Sequence, residues 1–371
     1  MDRRQYLATL GAAAVAGCSG RSNTGEEEGV VIDSGTPPET DADAGVPDVD
    51  VETLATGLEV PWGAAYRDGT LYLAERPGRI VRLDGDGDVE TVVDAVDGVQ
   101  HVGEGGLLGL AFHPSDPYAY THQTYETEDG ALANRLVRHD LTDGWAGEPL
   151  LAGIPGAHIH DGGRLLVHDG ALYMTCGDAA EAERGQDPDV LAGSVLRVTL
   201  DGDAHPDNPF GTPVYSYGHR NPQGLAAHDG RLYSTEHGPT VADEINVLRA
   251  GENYGWPEAK GPSDADHFTD PVASYSPTIA PASATFYDGP IRAWRGDFFF
   301  GTLKAEHVRR VRFDDGGRTV AEQERLFEGA YGRIRTVFTG PDGHLHAVTS
   351  NRDGRGSPVA TDDRVFRFTP A

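Results

Sequence analysis

The stretch DGRLYSTE, residues 229–236, joins an Asp-Gly turn to a run of residues typical of a β-strand. Similar stretches recur along the chain: DGTLYLAE at 68–75, DGALYMTCGD at 169–178, DGHLHAVTS at 342–350 and the variant RGDFFFGTLK at 295–304. A second strand-like piece follows several of them: GRIVRLD at 78–84, GSVLRVTLD at 193–201, EHVRRVRFD at 306–314 and DDRVFRFTP at 362–370. Helical periodicity is almost absent, so the sequence predicts an all-β fold.

Turns and strands that recur at intervals of tens of residues are typical of propeller blades. We predict a six-bladed β-propeller whose blades are four-stranded antiparallel sheets. The approximate blade bounds are 53–100, 105–150, 158–203, 217–250, 280–315 and 330–370. The second blade rests on AYTHQTYE at 119–126 and RLVRHDL at 135–141. A large β-sandwich is the alternative architecture.

The chain of 371 residues has a formal charge of 30 − 59 = −29. Nucleic acids and anionic membrane surfaces bind basic patches, so this charge argues against both as partners. Lys260 and Lys304 are the only lysines among the 30 cations. An acidic surplus with scarce lysine indicates a halophilic, salt-saturated environment, where screening makes the charge tolerable. Plain acidity with a preference for arginine is the alternative, and neither interpretation sets the function.

Residues 1–18 resemble an export signal rather than part of the fold. Arg3 and Arg4 precede an apolar run that is too short to span a bilayer, which indicates the twin-arginine route. The run ends in a lipobox-like sequence, so we expect Cys18 to carry a lipid that anchors the protein to the outer face of the cell membrane. Simple cleavage and an uncleaved anchor are the alternatives. The composition of residues 19–51 predicts a flexible acidic tether. We expect residues 52–371 to form the propeller domain.

Cys176 is the only cysteine that follows the signal. An intrachain disulfide is therefore excluded despite export. Its surroundings, LYMTCGD at 172–178, have an apolar strand pattern. We predict that Cys176 acts as a small buried apolar residue.

Four cations occupy positions where they could meet. Lys304 directly follows an apolar strand, Arg333 and Arg335 alternate in GRIRTVF and so share one face of a strand, and Arg220 belongs to another blade. If blades 4, 5 and 6 present them to the central channel, they form a pocket for a polycarboxylate or a polyphosphate. The alternative, which the composition favours, is that they pair with the abundant acids.

The sequence HIHDGGRLL places His158 and His160 on the same side of an extended segment. His160 is a candidate general base, and Asp178 on the following strand could orient it. Metal binding is a second interpretation of a His-x-His pair, but no third ligand candidate is nearby. A structural or simply exposed histidine is the common alternative.

An acidic cluster follows in Asp243, Glu244 and Asn246, whose oxygens could chelate a hard cation such as Ca²⁺. The spacing is not that of an EF-hand. A solvated face, or a carboxylate that holds Arg220, explains the cluster equally well.

Five longer motifs occur in order along the chain. They are GEGGLLGLAFHP at 103–114, HDGGRLL at 160–166, YGHRNPQGLA at 217–226, EHGPTVADEINVL at 236–248 and NYGWP at 253–257. Together they resemble the signatures of the soluble glucose/sorbosone dehydrogenases, or aldose sugar dehydrogenases. The resemblance covers residues 53–370 and implies a six-bladed propeller that uses pyrroloquinoline quinone (PQQ) and Ca²⁺.

The resemblance also implies roles for single residues. His160 matches the base that takes the proton from the anomeric hydroxyl of the sugar, with Asp178 in support. Arg220 matches the donor to the quinone oxygens that gain charge as the C1 hydride arrives. The carbonyls of Gly238 and Pro239 match the Ca²⁺ ligands. The remaining matches are cofactor contacts, at Asn221, Gln223, Thr278, Lys304, Arg333 and Arg335.

The chain departs from some relatives at the expected substrate mouth. Glu104 replaces a glutamine in the GxGGLLG loop, and Ile159 replaces an aspartate just before His160. We also expect Asp161 at this mouth. Such changes of charge affect sugar preference rather than cofactor binding.

The sequence thus predicts an exported quinoprotein that oxidises aldoses to lactones and passes electrons to an external acceptor that the sequence does not identify. A Ca²⁺-dependent lactonase or esterase on the same propeller is the first rival, but it has no need of Lys304, Arg333 and Arg335. A non-catalytic binding module is the second, but it is expected to lose His160 or Arg220. The fold alone does not distinguish between these three functions.

Overall fold

The computed structural model describes residues 48–83 and 87–371. In these residues 24 strands form six sheets, each of four antiparallel strands. The helical segments of this part are two short 3₁₀ turns, Ala182–Gln186 and Arg292–Trp294. The predicted all-β, six-bladed β-propeller is confirmed.

Blades 1 to 3 follow the chain in order. Blade 1 comprises β2 (Pro61–Arg67), β3 (Thr70–Glu75), β4 (Arg79–Leu83) and β5 (Val89–Val93). Blade 2 comprises β6 (Leu107–Phe112), β7 (Tyr118–Glu126), β8 (Leu132–Asp140) and β9 (Ala146–Pro155). Blade 3 comprises β10 (Leu165–His168), β11 (Ala171–Cys176), β12 (Ser194–Thr199) and β13 (Val214–Tyr217).

Blades 4 and 5 repeat this pattern, and blade 6 combines both ends of the domain. Blade 4 comprises β14 (Pro222–His228), β15 (Arg231–Glu236), β16 (Asp243–Leu248) and β17 (Ala273–Tyr275). Blade 5 comprises β18 (Pro281–Phe286), β19 (Phe298–Thr302), β20 (Val308–Phe313) and β21 (Val320–Leu326). Blade 6 comprises β22 (Ile334–Thr339), β23 (Leu345–Thr349), β24 (Val365–Pro370) and β1 (Val49–Ala55).

The first strands of the blades form the inner ring. β2, β6, β10, β14, β18 and β22 contact one another in that order, and β22 contacts β2. The close approach of the first strands requires a small residue at Gly63, where an added Cβ would lie 2.6 Å from the Leu108 carbonyl oxygen. The inner ends of all six sheets therefore surround one axis.

The hydrophobic core is divided into six clusters, one between each pair of neighbouring blades. Alternation along β11 shows how a strand serves two of them. Leu172 and Met174 pack towards blade 2, whereas Ala171 and Tyr173 pack towards blade 4. Cys176 belongs to the first of these clusters and is buried without a disulfide partner, as predicted, and burial raises the pKa of its thiol.

The ring closes in blade 6, where β1 pairs with β24 from Val49 opposite Pro370 to Ala55 opposite Val365. The predicted bounds of the first blade, 53–100, assigned the end of this strand to blade 1, which is wrong. The propeller also begins at Val49, three residues before the predicted boundary at residue 52. Alternation alone could not assign β1, because its partner lies at the other end of the chain.

Three outermost strands, β13, β17 and β21, lie outside the predicted bounds of their blades or in the next blade's range. β17 has three residues and follows a long connection, and β21 is a polar sequence, VAEQERL. These three strands are short or polar, so they lack the apolar runs that identify the inner strands.

Residues 1–47 lie outside the described part of the chain. The predicted export signal, the lipidation of Cys18 and most of the tether fall there and stay predictions. Among the described segments, none is a helix long and apolar enough to cross a membrane.

Because β1 completes the last sheet, deletion of residues 1–55 should expose the edge of β24 and lower the free energy of unfolding by more than about 3 kcal/mol. Deletion of residues 1–47 removes only the part before β1 and is the control, for which we expect no change. Thermal and denaturant unfolding measure both variants. Equal stability of the two would contradict the closure.

Candidate active site

The functional residues that the sequence predicts lie on connections at one end of the sheets. Because neighbouring strands run antiparallel, the connection before the first strand and the connection after the second strand reach the same end. The residues on the first kind of connection or at the start of the first strand are His160, Asp161, Arg220, Asn221, Gln223, Thr278, Arg333 and Arg335. Those after a second strand are Asp178, Gly238, Pro239 and Lys304. Glu104 precedes β6 and joins the same end.

A cavity opens at this end. Every blade contributes to its wall: the lining residues are Trp62, Glu104, Asp161, Gly162, Gln223, His237, Leu303, Arg335 and Arg355. A cavity lined by all six sheets of a ring must lie on the ring's axis. A second cavity shares His237 with it and is also lined by Arg220, Gly238 and Trp256.

His160 makes one contact through each ring nitrogen. Its Nδ1 lies 2.7 Å from Asp178 Oδ1, and its Nε2 lies 3.0 Å from Arg220 Nη2. A guanidinium can only donate, so Nε2 accepts and carries the lone pair, while the Nδ1 proton is donated to Asp178. The imidazole is therefore held as a neutral base whose Nε2 points towards Arg220.

Asp178 is buried and all its contacts are donors. Oδ1 accepts hydrogen bonds from His160 and from the Ala180 N–H at 2.8 Å, and Oδ2 accepts one from Trp256 Nε1 at 2.9 Å. The carboxylate is thus fixed in one orientation towards the imidazole. Trp256 belongs to the NYGWP motif, yet the motif alone assigns it no role.

The backbone of His160 is in the left-handed region, with φ of +63°. Three contacts hold it there. The His160 N–H donates to Glu104 Oε2 at 3.0 Å, and its carbonyl accepts from the Ala179 N–H at 3.2 Å. Gly177 passes so close that an added Cβ would lie 1.9 Å from that carbonyl oxygen. The base is therefore positioned by its backbone as well as its ring.

Glu104 joins blade 2 to blade 6 across the mouth of the axial cavity. Its Oε1 accepts a hydrogen bond from Arg355 Nη1 at 2.8 Å. Burial raises the pKa of such a carboxyl, but the His160 N–H and Arg355 outweigh it and lower the pKa of Glu104 to about 2. Glu104 is therefore a fixed negative charge, neutralised by a cation that the sequence did not single out.

Asp161 lies beside it with a different environment. Its Oδ1 accepts from Asn134 Nδ2 at 3.0 Å and from the Ala157 N–H at 3.2 Å, whereas Oδ2 is buried with no partner. Burial raises the pKa of Asp161 to about 6, and the charge of Glu104 adds to this effect. Two carboxyl groups at one mouth thus titrate in different pH ranges.

Arg220 is fixed by carboxylate and carbonyl oxygens. Its backbone N–H donates to Glu236 Oε1, and Nη1 donates to the carbonyls of His237 at 3.1 Å and Gly238 at 2.9 Å. Its Nε is buried without a partner. Burial lowers the pKa of Arg220, although several carboxylates oppose the change. Glu236, rather than the predicted Asp243 or Glu244, is the carboxylate that holds Arg220.

The acidic cluster after β15 is largely satisfied by protein donors. Asp243 accepts from the N–H groups of Gly238, Ile279 and Ala280 and from the Thr278 hydroxyl, all within 2.6–2.9 Å. It therefore ties the turn at Gly238 to the loop before β18. Among the described residues no group of three acidic, histidine or cysteine side chains is arranged to hold a metal ion.

Glu244 lies directly across from Glu236 on β15 and β16. Its oxygens accept from the Gly261 N–H at 2.8 Å and from Asn246 Nδ2 at 3.1 Å. Burial raises the pKa of Glu244 to about 8, and the neighbouring Glu236 adds to it. The interpretation of this cluster as a solvated face is wrong, since both carboxyls are buried.

The predicted arginines of blade 6 share one carboxylate. Arg333 donates to Asp353 Oδ2 at 2.7 Å, and Arg335 Nη2 lies 3.7 Å from the same oxygen. Arg335 Nη1 also donates to Gln223 Oε1, which links blades 6 and 4. One positive charge therefore stays unneutralised, and Arg335 Nε is buried without a partner. The alternative that these cations simply pair with acids holds for Arg333 and, through the same carboxylate at a longer distance, in part for Arg335.

Two further cations lie at this end. Lys304 is exposed, and its ammonium forms no salt bridge with the described residues, while the preceding carbonyl of Leu303 accepts from Arg333 Nη1 at 2.9 Å. The second cation is Arg164, which the sequence analysis did not identify as a site residue although it belongs to the HDGGRLL motif. It is buried over the Trp62 ring at 4.1 Å, with Arg335 5.9 Å from the same ring centroid. Burial lowers the pKa of Arg164 and of Arg335 to about 9.

The structure therefore brings His160, Asp178 and Arg220 into direct contact and places Arg335 and Gln223 in the wall of the adjoining axial cavity. Asn221 is buried, and its Oδ1 accepts from the Gly162 N–H at 3.2 Å. The Thr278 hydroxyl is bound to Asp243, and His158 is exposed, with its carbonyl accepting from the Glu104 N–H at 2.9 Å. The residues that sequence reasoning missed are Trp62, Arg164, His237, Trp256, Asp353 and Arg355.

The pKa of Glu104 leads to a testable prediction. Because its pKa in the folded chain lies below the ordinary value of 4.5, its stabilising effect is present above about pH 4.5 and is lost as the pH falls towards 2. Glu104→Gln should lower the free energy of unfolding by roughly 1 to 2 kcal/mol at pH 7 and by progressively less below pH 4.5. Glu128→Gln, at an exposed carboxylate, is the control in denaturant titrations. A difference that does not depend on pH would contradict this account.

Comparison with known proteins shows which family the chain resembles. Residues 58–358 match the Glucose / Sorbosone dehydrogenase family. The PQQ-bound aldose sugar dehydrogenase of Streptomyces coelicolor has a similar structure, with a TM-score of 0.79 and 37% identity, over 87% of this chain and 99% of that one. The aldose sugar dehydrogenase of Escherichia coli is 30% identical over 82% of this chain and 91% of its own length. Quinoprotein glucose dehydrogenase B of Acinetobacter calcoaceticus is 27% identical over 85% and 87% of the two chains.

The family match covers most of the chain. The matched range includes His160 and the residues that contact it. The alignments with relatives named as sugar dehydrogenases span most of the length of each relative. These relatives indicate that the chain is an oxidoreductase. The chain belongs to the Glucose / Sorbosone dehydrogenase family.

Proposed function

We propose that this protein is a PQQ- and Ca²⁺-dependent dehydrogenase that oxidises the anomeric carbon of aldose sugars and yields lactones. The observation that carries the proposal is the state of His160. Its Nε2 bears a lone pair that faces Arg220, a residue lining the second cavity, while Asp178 accepts from the opposite ring nitrogen.

His160 has the geometry of a general base. A sugar hydroxyl that replaces Arg220 as the donor to Nε2 would pass its proton to the ring, which then carries both protons. The imidazolium that forms is stabilised by Asp178, whose carboxylate is already aligned with Nδ1 at 2.7 Å. Arg220, released from Nε2, keeps its two carbonyl contacts and can donate to an oxygen that gains negative charge.

The cations at this end of the ring fit a polycarboxylate such as PQQ. Arg335 and Arg220 each have a buried Nε without a partner, and Lys304 has no carboxylate partner among the described residues. Lys304, Arg333 and Arg335 would hold carboxylates, with Asn221, Gln223 and Thr278 as polar neighbours. When bound, PQQ would supply the two-electron acceptor for the hydride from C1 of the sugar.

Calcium fits the carbonyls at Gly238 and Pro239, because hard cations prefer oxygen ligands. The Gly238 carbonyl accepts a hydrogen bond from Arg220, which leaves its second lone pair for a cation. Two protein ligands leave the other positions to cofactor oxygens and water. The ion would act there as a Lewis acid.

The mouth of the cavity is suited to sugar hydroxyls. Asp161 Oδ2 is a buried acceptor with no partner, and Glu104, which accepts from Arg355, lines the same cavity. Carboxyl oxygens accept hydrogen bonds from hydroxyl groups, so they favour a neutral polyol over an anionic substrate. This arrangement supports aldoses as the substrate class.

We also propose that the protein is exported by the twin-arginine route and anchored through Cys18, with an external electron acceptor. The support is the sequence of residues 1–18. In cell fractionation, Cys18→Ser should move the protein from the membrane to the soluble fraction, and replacement of Arg3 and Arg4 by Lys should stop export. An unchanged membrane fraction for Cys18→Ser would contradict lipidation at this residue.

Two substitutions separate the proton acceptor from the cofactor pocket. With PQQ, Ca²⁺, high salt and a panel of aldoses, His160→Ala should lower dye reduction at least about 100-fold and change PQQ affinity by less than about threefold. Lys304→Ala should weaken PQQ affinity about tenfold in an absorbance titration and leave kcat at saturating PQQ unchanged. Arg318→Ala, an exposed cation at the opposite end of blade 5, is the matched control.

Two outcomes would count against the proposal. Absence of dye reduction with every aldose would exclude the dehydrogenase activity. An unchanged PQQ affinity in Lys304→Ala would show that the cofactor does not use the cations of this cavity.

A further inference from the structure

The connection between β16 and β17, residues 249–272, reaches an unexpected place. Strand alternation puts both of its ends at the side of the sheet opposite the site. Its first part, however, runs parallel to β13, with Asn253 paired with Tyr217. Since β13 runs towards the site, this segment delivers Trp256 to the His160 network.

Trp256 contacts both partners of His160. Its Nε1–H donates to Asp178 Oδ2 at 2.9 Å, and its ring centroid lies 5.3 Å from the Arg220 guanidinium carbon. Asp178 orients one ring nitrogen of His160, and Arg220 donates to the other. The indole of Trp256 therefore contacts both groups that set the tautomer and the ring orientation of His160.

The position of Trp256 is itself firmly fixed. Its N–H donates to the Gly218 carbonyl at 2.9 Å, and its carbonyl accepts from Gln186 Nε2 at 2.7 Å. The amides of Gln186 and Asn253 bond to each other in both directions, at 2.8 and 3.1 Å. Gly185 leaves no room for movement, since an added Cβ there would lie 2.7 Å from the Trp256 carbonyl oxygen. Such anchoring exceeds what an indole that only covers surface requires.

We infer that Trp256 is a positioning residue, which holds the Asp178 carboxylate in line with His160 Nδ1 through its indole N–H. Oδ1 is engaged by His160 and Ala180, so the bond to Oδ2 is the contact that stops the carboxylate from rotating about its Cβ–Cγ bond. Loss of this bond lets Asp178 leave the imidazole. The consequence for turnover rests on the proposed function, whereas the alignment of Asp178 does not.

Trp256→Phe keeps an aromatic ring beside Arg220 and removes the N–H. We expect kcat for an aldose to fall about tenfold, the loss of one hydrogen bond to a charged group, with KM and PQQ affinity within about twofold of wild type. Trp145→Phe, on the outer part of blade 2, should change none of these quantities. A fall in PQQ affinity or in folding stability without the selective fall in kcat would overturn the positioning role.

Nuclear magnetic resonance tests the alignment in the protein without PQQ. The chain has four tryptophans, and hence four indole N–H signals. Asp178→Asn should displace the signal that is missing in Trp256→Phe and leave the other three in place. In Trp256→Phe, the Nδ1–H signal of His160 should exchange faster with water, because Asp178 no longer protects it.

These readouts also separate the two claims. If the wild-type protein oxidises no aldose, the proposed function fails, but the indole and imidazole signals still decide whether Trp256 positions Asp178. An indole signal that ignores Asp178→Asn, or a His160 signal that is unchanged in Trp256→Phe, would overturn the inference.

Discussion

The organisation of this protein depends on one constraint: each sheet has two apolar faces, and both must be covered. A row of sheets always leaves two faces exposed to water, whereas a closed ring leaves none, and the burial of apolar surface is the main favourable term in folding. The pairing of β1 with β24 accomplishes that closure. Closure also creates the axis, so that residues as distant in sequence as Trp62 and Arg355 line one cavity.

The charge of the axis is opposite to that of the chain as a whole. The chain carries a formal charge of −29, yet Arg333 and Arg335 share the single carboxylate of Asp353, and Arg164 lies close by. Burying such cations has a cost, which is expressed in the lowered pKa of Arg164 and Arg335. An anionic ligand relieves this cost, so the same cations that destabilise the ring centre favour binding of a polycarboxylate.

The sequence predicted the parts of this structure that are local. Turn-strand repeats located the inner strands, and the HIHDGGRLL stretch indicated His160. Whether Asp178 reaches His160 is a matter of geometry between two loops, and the spacing only suggested it. The outer strands β13, β17 and β21 were misplaced, because they are short or polar and contain no apolar run.

The residues that were missed act through contacts made by ring closure. Arg355 contacts Glu104 from a blade far along the chain. No sequence pattern around either residue indicates this pair. Trp256 lies in a quoted motif but on a connection that strand alternation assigns to the opposite end. Only the parallel run beside Tyr217 brings it to Asp178. Distances across the axis are not encoded in any local pattern.

The central claim is that unneutralised cations of separate blades meet at the axis to hold a polycarboxylate beside His160. A crystal structure of the protein grown with PQQ and Ca²⁺ tests it most directly. The account predicts PQQ in the axial cavity, with its carboxylates on Lys304 and Arg335 and its quinone oxygens near Arg220. Binding of PQQ at any other surface, or a fully loaded crystal in which these cations touch only protein carboxylates, would contradict it.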